Sequence, residues 1–174
     1  MNQAHLHLLF NHFPVIGTIL CLLLLLFALM RKSDELKRAS LGGLVLISLL
    51  TIPAFLTGEP AEELVENLPG VSHALIEAHE KAALVAFIAL GITGALALVG
   101  LIWFRNRTTL PTWLIAAALL LTSVSVGLMA RTGNLGGEIR HTEIRTGAAA
   151  TTPGGGTDEK KDQKHEDEER KESR

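Results

Sequence analysis

Four runs of apolar residues order this chain, at 13–30, 39–57, 82–104 and 110–130, and none of them contains Asp, Glu, Lys or Arg. A soluble domain would break its apolar residues into faces of period two or 3.6, whereas these runs are apolar all round. Each suits the roughly 30 Å hydrocarbon core of a bilayer, which about 20 helical residues cross at about 1.5 Å apiece. The pattern predicts an all-α fold, an integral membrane four-helix antiparallel bundle over residues 1–145, with the lipid bilayer as its first partner.

The polar segments between the runs set the connections. Arg31, Lys32, Lys37 and Arg38, with Asp34 and Glu35, fill a loop so short that the first two spans must be antiparallel neighbours. Gly42 and Gly43 allow close backbone approach in the second span, Pro53 should kink its far end, and Gly58 should stop it. The longest loop, 58–81, carries Glu59, Glu62, Glu63, Glu66, Glu77 and Glu80 against Lys81. Within it, 60–68 reads as a short surface helix with proline in its first turn and early carboxylates favoured by the helix dipole. Ser72 is the expected N-cap of a third helix over 73–104, whose base stands outside the apolar run and carries His79. Arg105 and Arg107 lie in the second short loop, bracketed by Trp103 and Trp113 where an interfacial aromatic belt falls. After the fourth span the stretch from Gly133 to Gly137 reads as a turn, leading to Glu138, Arg140, His141 and Arg145.

Composition adds one distinction that the averages conceal. The chain is 48% hydrophobic with formal net charge −2, but 151–174 is almost wholly polar and mixed in charge. No core can form there, so 146–174 is expected to be a disordered tail. The single cysteine, Cys21, lies inside the first run, which excludes a disulfide framework and covalent haem attachment through Cys-x-x-Cys-His. The N-terminus lacks a basic leader and cleavage site, so the first run is expected to be retained as a span. Basic residues concentrate in the two short loops, which puts both in the cytoplasm and both termini outside. The expected location is a bacterial inner membrane.

Candidate chemistry rests on histidine. Four antiparallel spans place His5, His7, His12, His73, His79, His141 and His165 on one side, but most of the extramembrane chain lies there too, so side alone decides little. Depth is more selective: His12, His79 and His141 come from three helix ends near the membrane surface. Neutral imidazole ligates iron, and a b-type haem needs two such nitrogens on opposite faces of a planar macrocycle. In an up-down bundle the first and third spans face each other diagonally, which makes His12 and His79 the expected axial pair for haem iron. His7 and His141 are further candidates. Ala83, Ala86, Leu90, Gly94 and Ala97 form a small-residue stripe below His79, either a slot for something flat or a helix-packing face. Lys81, Arg131 and Arg140 are candidates for the propionates.

A divalent-metal site without haem is the rival chemistry: His73, Glu77 and Glu80 share a helical face, and Glu138-x-x-His141 has the spacing of bundle carboxylate sites. A non-catalytic accessory subunit of a membrane redox or transport complex is the alternative from another class. No catalytic residue is assigned, since no Ser/His/Asp set, phosphate-binding glycine loop or H-E-x-x-H is present. Charge-free spans argue against an ion-coupled transporter. No nucleic-acid partner is expected.

His7-Leu-Leu-Phe-Asn-His12-Phe-Pro14, a histidine at the base of the third helix, and Gly136-Gly-Glu-Ile-Arg-His141 together resemble the bacterial four-helix membrane family of unknown function numbered 2231. The resemblance covers roughly residues 5–145 and departs at Leu8, where the family has proline, and at Arg140, where it often has an aromatic. It implies a four-helix membrane fold with His7, His12, His79 and His141 as its histidine positions. It further implies haem binding or action beside a membrane or periplasmic redox partner.

Overall fold

A computed structural model describes residues 2–141, 144 and 145. Its elements are α1 (Gln3–Met30), α2 (Asp34–Leu56), the short α3 (Gly58–Glu62), α4 (His73–Trp103) and α5 (Thr112–Arg140). The tail expected to be disordered lies outside the described residues, and His165 with it.

Local chemistry starts the helices where the polar segments meet the apolar runs. The Asn2 side chain accepts the His5 N–H at 2.9 Å, and Ser33 caps α2 by accepting the Leu36 N–H at 3.3 Å. Asp34 and Glu35 then occupy the positive first turn of α2. Two expectations about ends need correcting. The surface helix expected at 60–68 is instead the five-residue α3, followed by turns. The glycine-rich stretch expected to be a turn after the fourth span is helical, since α5 runs unbroken to Arg140. Packing accounts for this: each glycine costs a helix about 1 kcal/mol, but at Gly136 the absence of a side chain lets α5 lie against the ring of His79.

The helices are antiparallel neighbours in the cyclic order α1, α2, α4, α5, so α1 and α4 lie across a diagonal, as expected for the first and third spans. Close approach is concentrated at small residues. A Cβ on Gly94 of α4 would meet Ser48 of α2 at 2.0 Å, and one on Gly43 of α2 would meet Cys21 of α1 at 2.8 Å. Thr93 and Ser125, both buried, bring their hydroxyls to 3.1 Å between α4 and α5. Such small and hydroxyl side chains hold helices together where lipid removes the hydrophobic drive for association. Leu25, Leu41, Leu44 and Leu114 fill the core nearest the short loops, and Ala86, Leu90 and Met129 fill it nearer the histidine end.

Polarity is inverted outside that core. Leu20 is 59% exposed, Leu49 57% and Leu120 65%, and the four long helices reach mean hydropathies of 2.1 to 2.7 with at most a third of each apolar window buried. Water does not tolerate a continuous apolar surface of this extent, and lipid does. The protein is a multi-pass helical membrane bundle.

Candidate functional site

The start of α1, the end of α2, the start of α4 and the end of α5 meet at one rim of the bundle, where each of two imidazoles is tethered to a neighbouring helix. His7 of α1 donates from Nδ1 to the Ala54 carbonyl of α2 at 3.0 Å, with the Thr57 hydroxyl at 3.3 Å. His79 of α4 donates from Nδ1 to the Thr132 carbonyl of α5 at 3.0 Å. A carbonyl only accepts, so both rings carry the proton on Nδ1, and Nε2 keeps its lone pair. The two ring centroids are 6.5 Å apart with planes at 86°. Neither Nε2 has a hydrogen-bond partner among the described residues, and neither is completely buried.

Glycine shapes the seats of both rings. Gly58, at the start of α3, lies where a Cβ would touch the His7 ring at 3.7 Å. Gly136 is tighter: a Cβ there would stand 3.1 Å from Cε1 of His79. Beside His79, Glu80 of α4 approaches Glu62 of α3 closely enough for the two carboxyls to share a hydrogen bond when one is protonated. Partial burial, that hydrogen bond and repulsion from Glu80, Glu66 and Glu59 push the Glu62 carboxyl up to about 7.

The structure separates the other sequence candidates from this pair. His12 is exposed and its Nδ1 bonds back to the Leu8 carbonyl of its own helix at 2.5 Å. Together with His5 it lines an open apolar groove of about 880 Å³ along the outer face of α1. The geometric cause is five residues of helix, which rotate His12 roughly 140° away from His7 at about 100° per residue. His12 and His79 therefore do not form the facing pair expected from depth, and His7 takes that place. His141 is exposed at the C-cap of α5, and His73 is exposed at the first residue of α4. The small-residue stripe below His79 is a packing face: Ala86, Leu90 and Ala97 are buried, and Gly94 receives Ser48. Lys81 and Arg131 line a recess between α4 and α5. Lys81, two residues beyond His79, is turned roughly 200° from it.

Two ligands are what this rim offers. Among the described residues no three His, Cys, Asp or Glu side chains gather closely enough to hold a metal ion. A bare divalent ion asks for three or more protein ligands, whereas a haem supplies four nitrogens and asks for two. His7 and His79, with ring centroids 6.5 Å apart, are the two imidazoles at this rim that could hold a haem iron.

Fold and rim together define a class: a four-helix membrane bundle with paired imidazoles at one end. No protein-family model, characterised protein or solved structure matches the chain, so the family resemblance rests on the histidine motifs alone.

Proposed function

We propose that this is a bacterial inner-membrane protein, with both termini outside the cytoplasm, which binds a b-type haem through Nε2 of His7 and His79 and exchanges electrons with a membrane or periplasmic partner. One observation carries the reading: two imidazoles from diagonal helices, each fixed at Nδ1 by a neighbouring helix's carbonyl, leave their basic nitrogens open. A carbonyl holding the distal N–H is how proteins fix the tautomer and raise the basicity of a ligating histidine. The haem would supply one-electron chemistry at its iron. The chain's part is to hold the ligands rigidly, so that little reorganisation accompanies the change in charge. The orientation is supported by Arg31, Lys32, Lys37, Arg38, Arg105 and Arg107 at the opposite end.

An absorption spectrum of the purified full chain, expressed with haem supplied, tests this directly. The expected result is a Soret band that shifts on dithionite reduction, at one haem per chain, lost in His7→Ala and in His79→Ala and retained in His12→Ala. A colourless, metal-free preparation would replace this function with that of a non-catalytic accessory subunit. Bound metal without a Soret band would replace it with a divalent-metal site.

A further inference from the structure

We infer that Lys81 and Arg131 form a binding site for the phosphate of an anionic phospholipid, whose acyl chain descends over Val85 and Leu128. The site does not depend on the haem reading, since it lies on the face of α4 turned away from His79. It is a recess of about 350 Å³ between α4 and α5. Lys81 directly precedes the charge-free run of α4 and Arg131 directly follows that of α5, so the two cations sit at the same membrane depth. Val85 and Leu128, one turn deeper on each helix, present hydrocarbon immediately below them. Ala78, with its short side chain, lines the recess between the helices.

Charge selects the occupant. Glu77 bonds Lys81 at 2.5 Å and offsets one of the two cations. Arg131 is exposed and has no side-chain partner among the described residues, which leaves the recess net positive. Guanidinium matches phosphate oxygens bidentately, and an ammonium adds a second point charge. A soluble anion could use the cations but would leave the apolar floor wet. A phospholipid satisfies both levels at once, its phosphate at the cations and its chain on Val85 and Leu128.

The test places the full chain in nanodiscs of phosphatidylcholine with a minor fraction of phosphatidylglycerol and counts retained lipids by native mass spectrometry. The native protein should retain phosphatidylglycerol preferentially. Each cation removed should lower that preference about fivefold, from roughly 1 kcal/mol per basic residue near the surface, in Arg131→Gln alone and further in the Lys81→Gln/Arg131→Gln double variant. Arg31→Gln/Arg105→Gln, at the opposite end, should keep the preference. The inference is overturned if the native protein shows no preference, or if the double variant keeps it. It is also overturned if inorganic phosphate displaces the lipid at equal concentration, which would make the recess a pocket for free anions.

Discussion

His7 and His79 face each other across the bundle diagonal at 6.5 Å and 86°, and each is held there by a backbone carbonyl one helix away, Ala54 for the first and Thr132 for the second. The carbonyl of Thr132 can reach His79 because α5 continues as a helix past the end of its apolar run.

That continuation predicts opposite effects at two glycines. Gly133 has open space where a Cβ would go, so Gly133→Ala should stabilise the bundle by about 0.5–1 kcal/mol through helix propensity. Gly136→Leu should destabilise it by about 1–3 kcal/mol, because the new side chain must displace the His79 ring. Thermal unfolding in detergent measures both. A loss at Gly133→Ala would mean a turn there.

Gly94 of α4 lies so close to Ser48 of α2 that a Cβ at Gly94 would fall 2.0 Å from the serine Oγ. Gly94→Ala should cost about 1–3 kcal/mol by overpacking. Ser48→Gly combined with it should recover part of that loss, and a double-mutant cycle by denaturant titration should give a coupling well outside additivity.

At the loop end Arg38 donates to the carbonyls of Phe104 and Arg107 at 3.0 and 2.7 Å, and the Asp34 carboxylate accepts the Leu110 N–H at 2.8 Å. These contacts tie the two short loops together. Hydrogen bonds to charged groups are worth about 1.5–3 kcal/mol, so Arg38→Ala should cost roughly 2–3 kcal/mol. Asp34→Asn keeps an acceptor for Leu110 and should cost about 1 kcal/mol. Melting temperatures of the two variants should fall in that order.

Glu62 should make stability depend on pH. Its carboxyl is raised from 4.5 to about 7 in the folded state, so the folded protein binds more protons than the unfolded one between those values. Stability should therefore fall as pH rises from about 4.5 through about 7, when Glu62 ionises against Glu80, Glu66 and Glu59. Glu62→Gln should flatten this dependence and raise the melting temperature at pH 8 relative to the native chain. A native protein with no loss between pH 5 and 8 would remove the Glu62–Glu80 contact from the account.

Part of the rim was readable along the chain, and the part missed has a specific cause. His79 lies on the line of Ala83, Ala86, Leu90 and Gly94, which marked the inward face of its helix. An equivalent line existed for α1: Pro14, Thr18, Cys21, Leu25 and Ala28 are its buried residues, and stepping back one heptad from Pro14 reaches His7, not His12. The run of leucines around these positions hid it, because a span apolar on every side has almost no hydrophobic contrast to reveal its inner face. The only signal was the placement of small and hydroxyl residues.

What the sequence determined by itself was the number of spans, their antiparallel order and the end of the bundle that carries the histidines. Those follow from the transfer of whole charge-free runs into hydrocarbon and from the shortness of two loops, effects too large for local detail to alter. Tertiary structure decided the rotation of each helix about its axis and the fate of the glycine-rich stretch after the fourth span. Rotation is set by side-chain fit between helices such as Gly94 with Ser48, and α5 stays helical through a glycine-rich stretch whose Gly136 lies against the His79 ring. That fit turned His7 toward His79 and left His12 facing outward.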